Sequence, residues 1–460
     1  MNLRQFACNA ALVLGLGACT LSAFAQAAAK DWQNLVDEHA ALIGKGQYQS
    51  SVEVAKKALA LAEARLGSEH IDVVLSLIRL ASSYAHMAQF DQALLLQLRA
   101  LAILENSKGP DDPDTAFALN DLATTYSSLT QYGRALPLQQ RALAIAEKTL
   151  GPDHSFTAVC LNNLAETYSD LGQYDRALPL QQRSLAIREK TLGADDPKTA
   201  LGLSNLAQTY ASLAQYDLAL LLHQRALAIQ EKKQGPDHPD TAVSLDNLAG
   251  IYLALAQYDR ALPLQQRALA IREKALGPNH PATAMSLNNS AQTYRAMAQY
   301  AQALPLQQRA LAILQKALGP DHPDTALALD NLASMYSRLA QYDRVEPLQQ
   351  RALAIREKIQ GPEHKDTALS LNNLADTYSR LAQYERALLL QQRALAISEK
   401  ISGPDHPDTA RSLSNLAGTY SDLAQYDRAL PLQQRVLTIE EENRGPEHPD
   451  TARSLSNSNG

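Results

Sequence analysis

Apolar positions in this chain repeat at two scales. Within residues 235–276, GPDHPDTAVSLDNLAGIYLALAQYDRALPLQQRALAIREKAL, the residues Ala242, Leu245, Leu248, Ala249, Tyr252 and Leu255 follow at three- and four-residue steps, the stripe of an amphipathic helix. This predicts a helix A. Over Tyr258 to Leu276, Ala261, Leu264, Ala268, Ile271 and Ala275 form one line and Tyr258, Leu262, Leu269 and Leu276 a second. At about 100° per residue these lines cover roughly half the circumference, so a helix B must touch both its own helix A and the next copy. At the larger scale, a loop glycine returns at Gly67, Gly109, Gly151, Gly193, Gly235, Gly277, Gly319, Gly361, Gly403 and Gly445, a strict period of 42 residues. Such a period predicts stacked copies sharing one continuous core.

The ends of each helix are chemically marked. Gly277 follows the last apolar residue of helix B, where a left-handed residue closes the helix, and Pro278 forbids continuation. Pro239 suits the first turn of helix A, and Asp240 faces its positive dipole end. Only Ala256 and Gln257 separate A from B, which makes the two antiparallel neighbours. Runs of β-branched residues and hairpin turns are absent, so no strand is predicted.

The order Leu245, Leu248, Ala249, Tyr252, Tyr258, Ala261 and Ala268 resembles the tetratricopeptide repeat. Its 42-residue form, with GPDHPDTA and LNNLA, is similar to that of kinesin light chains and their bacterial relatives. The resemblance covers about nine tenths of the chain. It implies an all-α fold, a right-handed α-solenoid superhelix of about ten helix pairs. The chain departs from the family in helix B, where an aromatic or bulky residue gives way to Gln265 and its equivalents, with His223 in one copy.

Four segments follow. Residues 1–25 read as a secretory signal, with Arg4 as the positive start, an apolar run over residues 10–18, and Ala23-Phe24-Ala25 as a small-x-small cleavage site. The run is too short to span a membrane. Leu16-Gly17-Ala18-Cys19 also resembles the box at which bacterial lipoproteins are cleaved and acylated, so attachment through Cys19 stands beside simple cleavage. Both routes predict export, to the periplasm or beyond. Residues 30–66 form a divergent first repeat in which Trp32, the only tryptophan, is expected to cap the open end of the stack. Nine repeats occupy residues 67–444, and residues 445–460 begin a helix A that loses its apolar positions. That fragment reads either as a polar end or as the start of lost sequence carrying an effector such as a protease-like domain.

Cys8 and Cys19 lie in the signal, and Cys160 replaces small residues of sister copies, which marks it as buried packing. All 18 tyrosines occupy the places of Tyr252 and Tyr258, on buried stripes with a hydroxyl at the edge. Pro263 and its sisters fall inside helix B, early and on the solvent side, where only a slight bend is expected. Ser290 stands where sister copies carry a core leucine, predicting looser packing there.

One polar row faces away from the core stripe. Asn163, Asn205, Asn247, Asn289, Asn331, Asn373, Asn415 and Asn457 share a place about 200° around helix A from Leu245. Neighbouring places drift: Glu166, Gln208, Gly250, Gln292, Ser334 and Asp376 share one, while Asp170, Ser212, Ala254, Arg338 and Arg380 share another. A primary amide both donates and accepts, so such a ladder can pair with the backbone of an extended peptide whatever its side chains. In this reading Asn163 to Asn415 grip the peptide, and variable residues such as Arg338 and Arg380 select it. In the alternative, each Asn bonds to an adjacent helix and stiffens the stack.

The remaining candidates are structural. A histidine recurs in the loop at His70, His154, His238, His280, His322, His364, His406 and His448, but one per copy with no second histidine at ligand spacing, so helix-start packing is expected in place of a metal. Gln265 and its sisters Gln97, Gln139, Gln181, Gln307, Gln349, Gln391 and Gln433 point into the apolar arc and must be bonded there, predicting an inter-repeat ladder. A formal net charge of −6 without a basic stripe argues against nucleic acid. No phosphate loop, nucleophile–base pair or metal cluster supports catalysis or a cofactor. The expected task is a scaffold that binds a protein or peptide along its concave face. A purely structural or self-associating solenoid is the competing reading.

Overall fold

The structure, a computed structural model, describes residues 23–444. Among the described residues are ten helix pairs and no strand, from Ala23–Gly44 with Tyr48–Leu66 to Pro407–Asp422 with Tyr426–Arg444. The chain divides into two compact units, Met1–Leu164 and Ala165–Gly460. Residues 1–22, with Cys8 and Cys19, and residues 445–460, with His448 and Asn457, lie outside the described residues. Ala23-Phe24-Ala25, the expected cleavage site, falls within the first helix.

In the second unit the copy at residues 235–276 shows how the loop makes the helices. The Nδ1 of His238 accepts the N–H of Asp240 at 3.1 Å and caps Pro239–Ala254. The Thr241 hydroxyl donates to the Gly235 carbonyl at 2.8 Å and ties the loop shut, with Gly235 at φ +98°. Asp196 replaces the histidine as cap of Pro197–Ser212, its Oδ1 accepting from Lys198 at 2.7 Å. At the A–B corner, Gln257 N–H reaches the Tyr252 carbonyl at 2.7 Å, and Ala256 takes a left-handed φ of 55°.

Packing follows the stripes. Ala242, Leu245, Ala268 and Ile271 form a buried cluster against which Leu227 of the preceding copy packs. Leu311, Leu353 and Leu395 do the same for the copies that follow them. The core is therefore shared between neighbours rather than closed within one repeat. Pro263 is exposed inside the unbroken helix Tyr258–Leu276, so water can take the freed carbonyl. Ser290 is 2 % exposed and its hydroxyl has no hydrogen-bond partner among the described residues, a polar atom stranded in the leucine position.

Surface ion pairs mark the joints on the B side. Arg267 meets Glu231 of the preceding copy at 2.6 Å, and Lys274 meets Asp237 at 2.6 Å. Tyrosine hydroxyls accept from glutamines of the preceding helix B, as Tyr210 does from Gln182 at 3.2 Å and Tyr336 from Gln308 at 3.2 Å.

In the first unit, Trp32 packs against the buried cluster that contains Leu77 and Leu80, and its Nε1–H donates to the Ser76 hydroxyl at 3.0 Å. Tyr48 stacks flat on His86 with ring centres 4.6 Å apart. Cys160 is fully buried in the same cluster, and burial pushes its thiol pKa far above the ordinary range.

Candidate peptide-binding face

Within the second unit, successive A helices touch one another directly from Pro197–Ser212 to Pro407–Asp422. In a curved stack the closer set of helices lies on the inner side, so the A helices line the concave face. The variable places project from it. Gln208, Gly250, Asp376 and Gly418 are exposed at one place, and Ala254, Ala296, Arg338 and Arg380 at another. Arg380 is tied to Asp376 four residues earlier, Nε to Oδ2 at 2.8 Å, and that carboxylate raises the guanidinium pKa. The two variable charges therefore form one neutralised patch, while among the described residues Arg338 carries no such pair.

The asparagine row sits in the seam between A helices. Asn163 is 3 % exposed and its Nδ2–H donates to Asn120 Oδ1 of the preceding copy at 3.1 Å. Asn331 donates to Asn288 Oδ1 at 2.7 Å, and Asn289 lies beside the Asp246 carboxylate and favours its charged form. Asn205, Asn247, Asn289, Asn331, Asn373 and Asn415 are half-buried. Among the described residues, no side-chain bond ties Asn247, Asn373 or Asn415 to the rest of the molecule. The row thus has two kinds of rung: some lock neighbouring helices, and some keep both amide functions for solvent or a ligand.

The glutamine ladder lies directly behind this row. Gln139, Gln349 and Gln391 each donate Nε2–H to the backbone carbonyl of Asn163, Asn373 and Asn415 respectively, every time at 3.2 Å. Gln97 makes the same bond to the Asp121 carbonyl at 3.4 Å. The Thr377 hydroxyl donates to Gln349 Oε1 at 2.7 Å, and Thr419 accepts from Gln391 at 2.9 Å. Each bond links helix B to the next helix A, so the inner face is braced from behind. His223 takes the glutamine place in one copy and is 1 % exposed; burial lowers its pKa to about 4.

The helix-start role expected of the loop histidines takes a specific form, and a second feature, a buried ion pair, escaped the reading of single residues. The loop histidines act as N-caps: His70, His154, His238, His280, His322, His364 and His406 all accept the N–H two residues on. Two joints bury an ion pair, Arg272 with Asp246 and Arg356 with Asp330. The co-occurrence of an arginine at one place with an aspartate 26 residues earlier was the available signal.

The helix-pair geometry defines a class, the α-solenoid scaffold typical of protein–protein interaction and non-enzymatic as a fold. Tetratricopeptide repeat matches cover residues 38–106, 75–148, 114–190, 168–232, 198–274, 240–316, 283–358 and 390–442, with a further one over 367–408. The chain belongs to the tetratricopeptide repeat family. Among solved structures it is similar to a kinesin-light-chain-like chain of nearly identical TPR-like repeats from Podosopora anserina, at 30 % identity over 44 % of this chain and 96 % of that one, TM-score 0.39. It is also similar to BtubC (BKLC) from P. vanneervenii, at 25 % identity over 51 % and 91 %, TM-score 0.40. A Rap protein complexed with competence and sporulation factor shares the fold at 16 % identity over 81 % and 99 %, TM-score 0.50. No curated protein matches the chain.

Proposed function

We propose that the chain is an exported scaffold that holds an extended peptide along its inner face. The half-buried Asn247, Asn373 and Asn415 grip the peptide backbone, and the drifting places beside the row, with Arg338 and the Arg380–Asp376 pair, choose among side chains. The observation that carries this reading is that Asn247, Asn373 and Asn415 keep an uncommitted amide on the face lined by A helices. Packed helices stand about 10 Å apart and an extended strand advances about 3.3 Å per residue, so one rung meets roughly every third ligand residue. The mixed charges of the face favour a protein or peptide over nucleic acid.

The bonds made by Asn163 and Asn331, and the place of Asn289 beside the Asp246 carboxylate, favour a second reading, in which the row only stiffens the stack. One experiment separates the two. Affinity capture from envelope extract is run with wild type, with Asn247→Ala/Asn373→Ala/Asn415→Ala, and with Asn289→Ala/Asn331→Ala. A gripping row predicts that the first variant keeps its thermal stability and loses the captured partners. A purely structural row predicts capture unchanged in the first variant and stability lowered in the second.

A further inference from the structure

The repeats are near copies, so the few residues that break the consensus and meet in space are informative. Within the second unit, the corner after helix A in the copy at residues 151–192 touches helix starts far along the chain. Lys365 Nζ lies 3.2 Å from Asp170 Oδ1 across 195 residues, and His406 Nε2 lies 3.1 Å from the Asp170 carbonyl across 236. At 42 residues per copy these partners lie five and six copies further on. The contact therefore joins successive turns of the superhelix.

Two consensus breaks and one residue of a variable place build it. Lys365 opens its helix where Pro197, Pro239, Pro281, Pro323 and Pro407 open theirs. Gly172 occupies a left-handed corner at φ 68°, where sister copies hold alanine or threonine at φ 55 to 57°. The backbone therefore does not demand glycine there. What demands it is space, because a Cβ at Gly172 would stand 3.0 Å from His406 Cδ2 and 3.1 Å from Pro407 Cδ. Asp170 holds the place of Ser128, Ser212, Ala254 and Ala296. The His406 side chain is 7 % exposed, like His322 at 5 % and His364 at 2 %, against 40 % for the equivalent His238.

We infer that Asp170, Gly172, Lys365 and His406 form a clasp that holds one turn of the superhelix closed. Gly172 supplies the close approach, and the carboxylate with the lysine supplies the attraction. The ion pair is only partly buried, with side chains 28 and 39 % exposed, so salt weakens it and the turn is free to open and close. The clasp governs access to the bore of the solenoid, whatever the bore holds.

The test uses the full chain without any partner. A carbodiimide condenses a carboxylate with an amine in contact, and mass spectrometry of the monomer band identifies the joined peptides. Wild type should give an Asp170–Lys365 link alongside the control link between Lys274 and Asp237, which lie 2.6 Å apart. Gly172→Leu should cut the first link at least tenfold and leave the control. Asp170→Ser/Gly172→Ala/Lys365→Pro installs only residues that sister copies carry at those places, so each repeat keeps its fold, and its maximum dimension by small-angle scattering should increase. The inference is overturned if wild type shows the control link alone, or if both variants match wild type in linking at the remaining sites and in dimension.

Discussion

The guanidinium of Arg272 is buried against the carboxylate of Asp246, 26 residues earlier, and both reach the hydroxyl of Ser286 in the next copy. The two charged side chains are 5 and 8 % exposed. Burial pushes the Asp246 carboxyl pKa up, and the arginine opposes it. The same joint one copy later carries Leu314, Asn288 and Ala328, and another pairs Ser398 with Ser412 at 3.1 Å. Near-identical repeats are thus given individual joints, and a helix offered to the wrong neighbour leaves a charge unpaired or a methyl group overpacked.

Asp246→Ala should strand Arg272 in the core and destabilise the array by about 3–5 kcal/mol. Replacing the whole joint with its sister residues, Arg272→Leu/Asp246→Asn/Ser286→Ala, should recover most of that loss. Urea unfolding of the three proteins measures both, and a single change as mild as the triple one would contradict the buried-pair account.

Ser290→Leu should stabilise its repeat by about 1–3 kcal/mol, because it fills a leucine-shaped place and removes an unbonded hydroxyl. Because a repeat array can open copy by copy, hydrogen exchange of residues 281–317 is the suitable readout. Slower exchange confined to that copy and its neighbours is the expected result.

The histidine caps accept hydrogen bonds at Nδ1, and Asp112 and Asp196 perform the same task. His238→Asp should therefore be close to neutral, while His238→Ala should cost about 1 kcal/mol in thermal unfolding. Equal losses in the two variants would exclude capping as the role of the histidine.

His223 is held neutral by burial, with its pKa lowered from 6.5 to about 4. The unfolded chain takes up a proton near pH 6.5 and the folded chain only near 4, so stability is full above pH 6.5 and falls across this window. Full protonation of the unfolded chain costs on the order of 3 kcal/mol. His39, lowered to about 4 by burial and then by Arg79, adds a like slope in the first unit. Denaturation midpoints between pH 7 and 4 should show a shallower acid loss in His223→Gln than in wild type.

Much of the fold was legible because its cause is local. Helix A, helix B, the two-residue corner and the glycine loop each follow from spacings of three or four residues, and the strict period told that the oily faces must be covered by copies. The glutamine ladder was legible in part for a similar reason: Gln139 and Gln391 find a carbonyl on the next helix A, whereas the buried Oε1 of Gln265 has no hydrogen-bond partner among the described residues. The asparagine row was legible as a row but not in its use. The residue 43 positions earlier does not settle it, since Asn331 bonds to Asn288 whereas Asn415 stays open although Asn372 stands in the same place and gives its amide to Ser412.

By itself the sequence determined the repeat, its helix pair, its caps and the continuous core, since these depend on neighbours along the helix or one copy away. Only the tertiary structure decided which asparagines face a neighbouring helix, and that Asp170 and Gly172 meet Lys365 and His406. The physical reason is accumulation: each joint adds a small rotation set by its own packing, and the sum over several joints fixes which distant corners coincide.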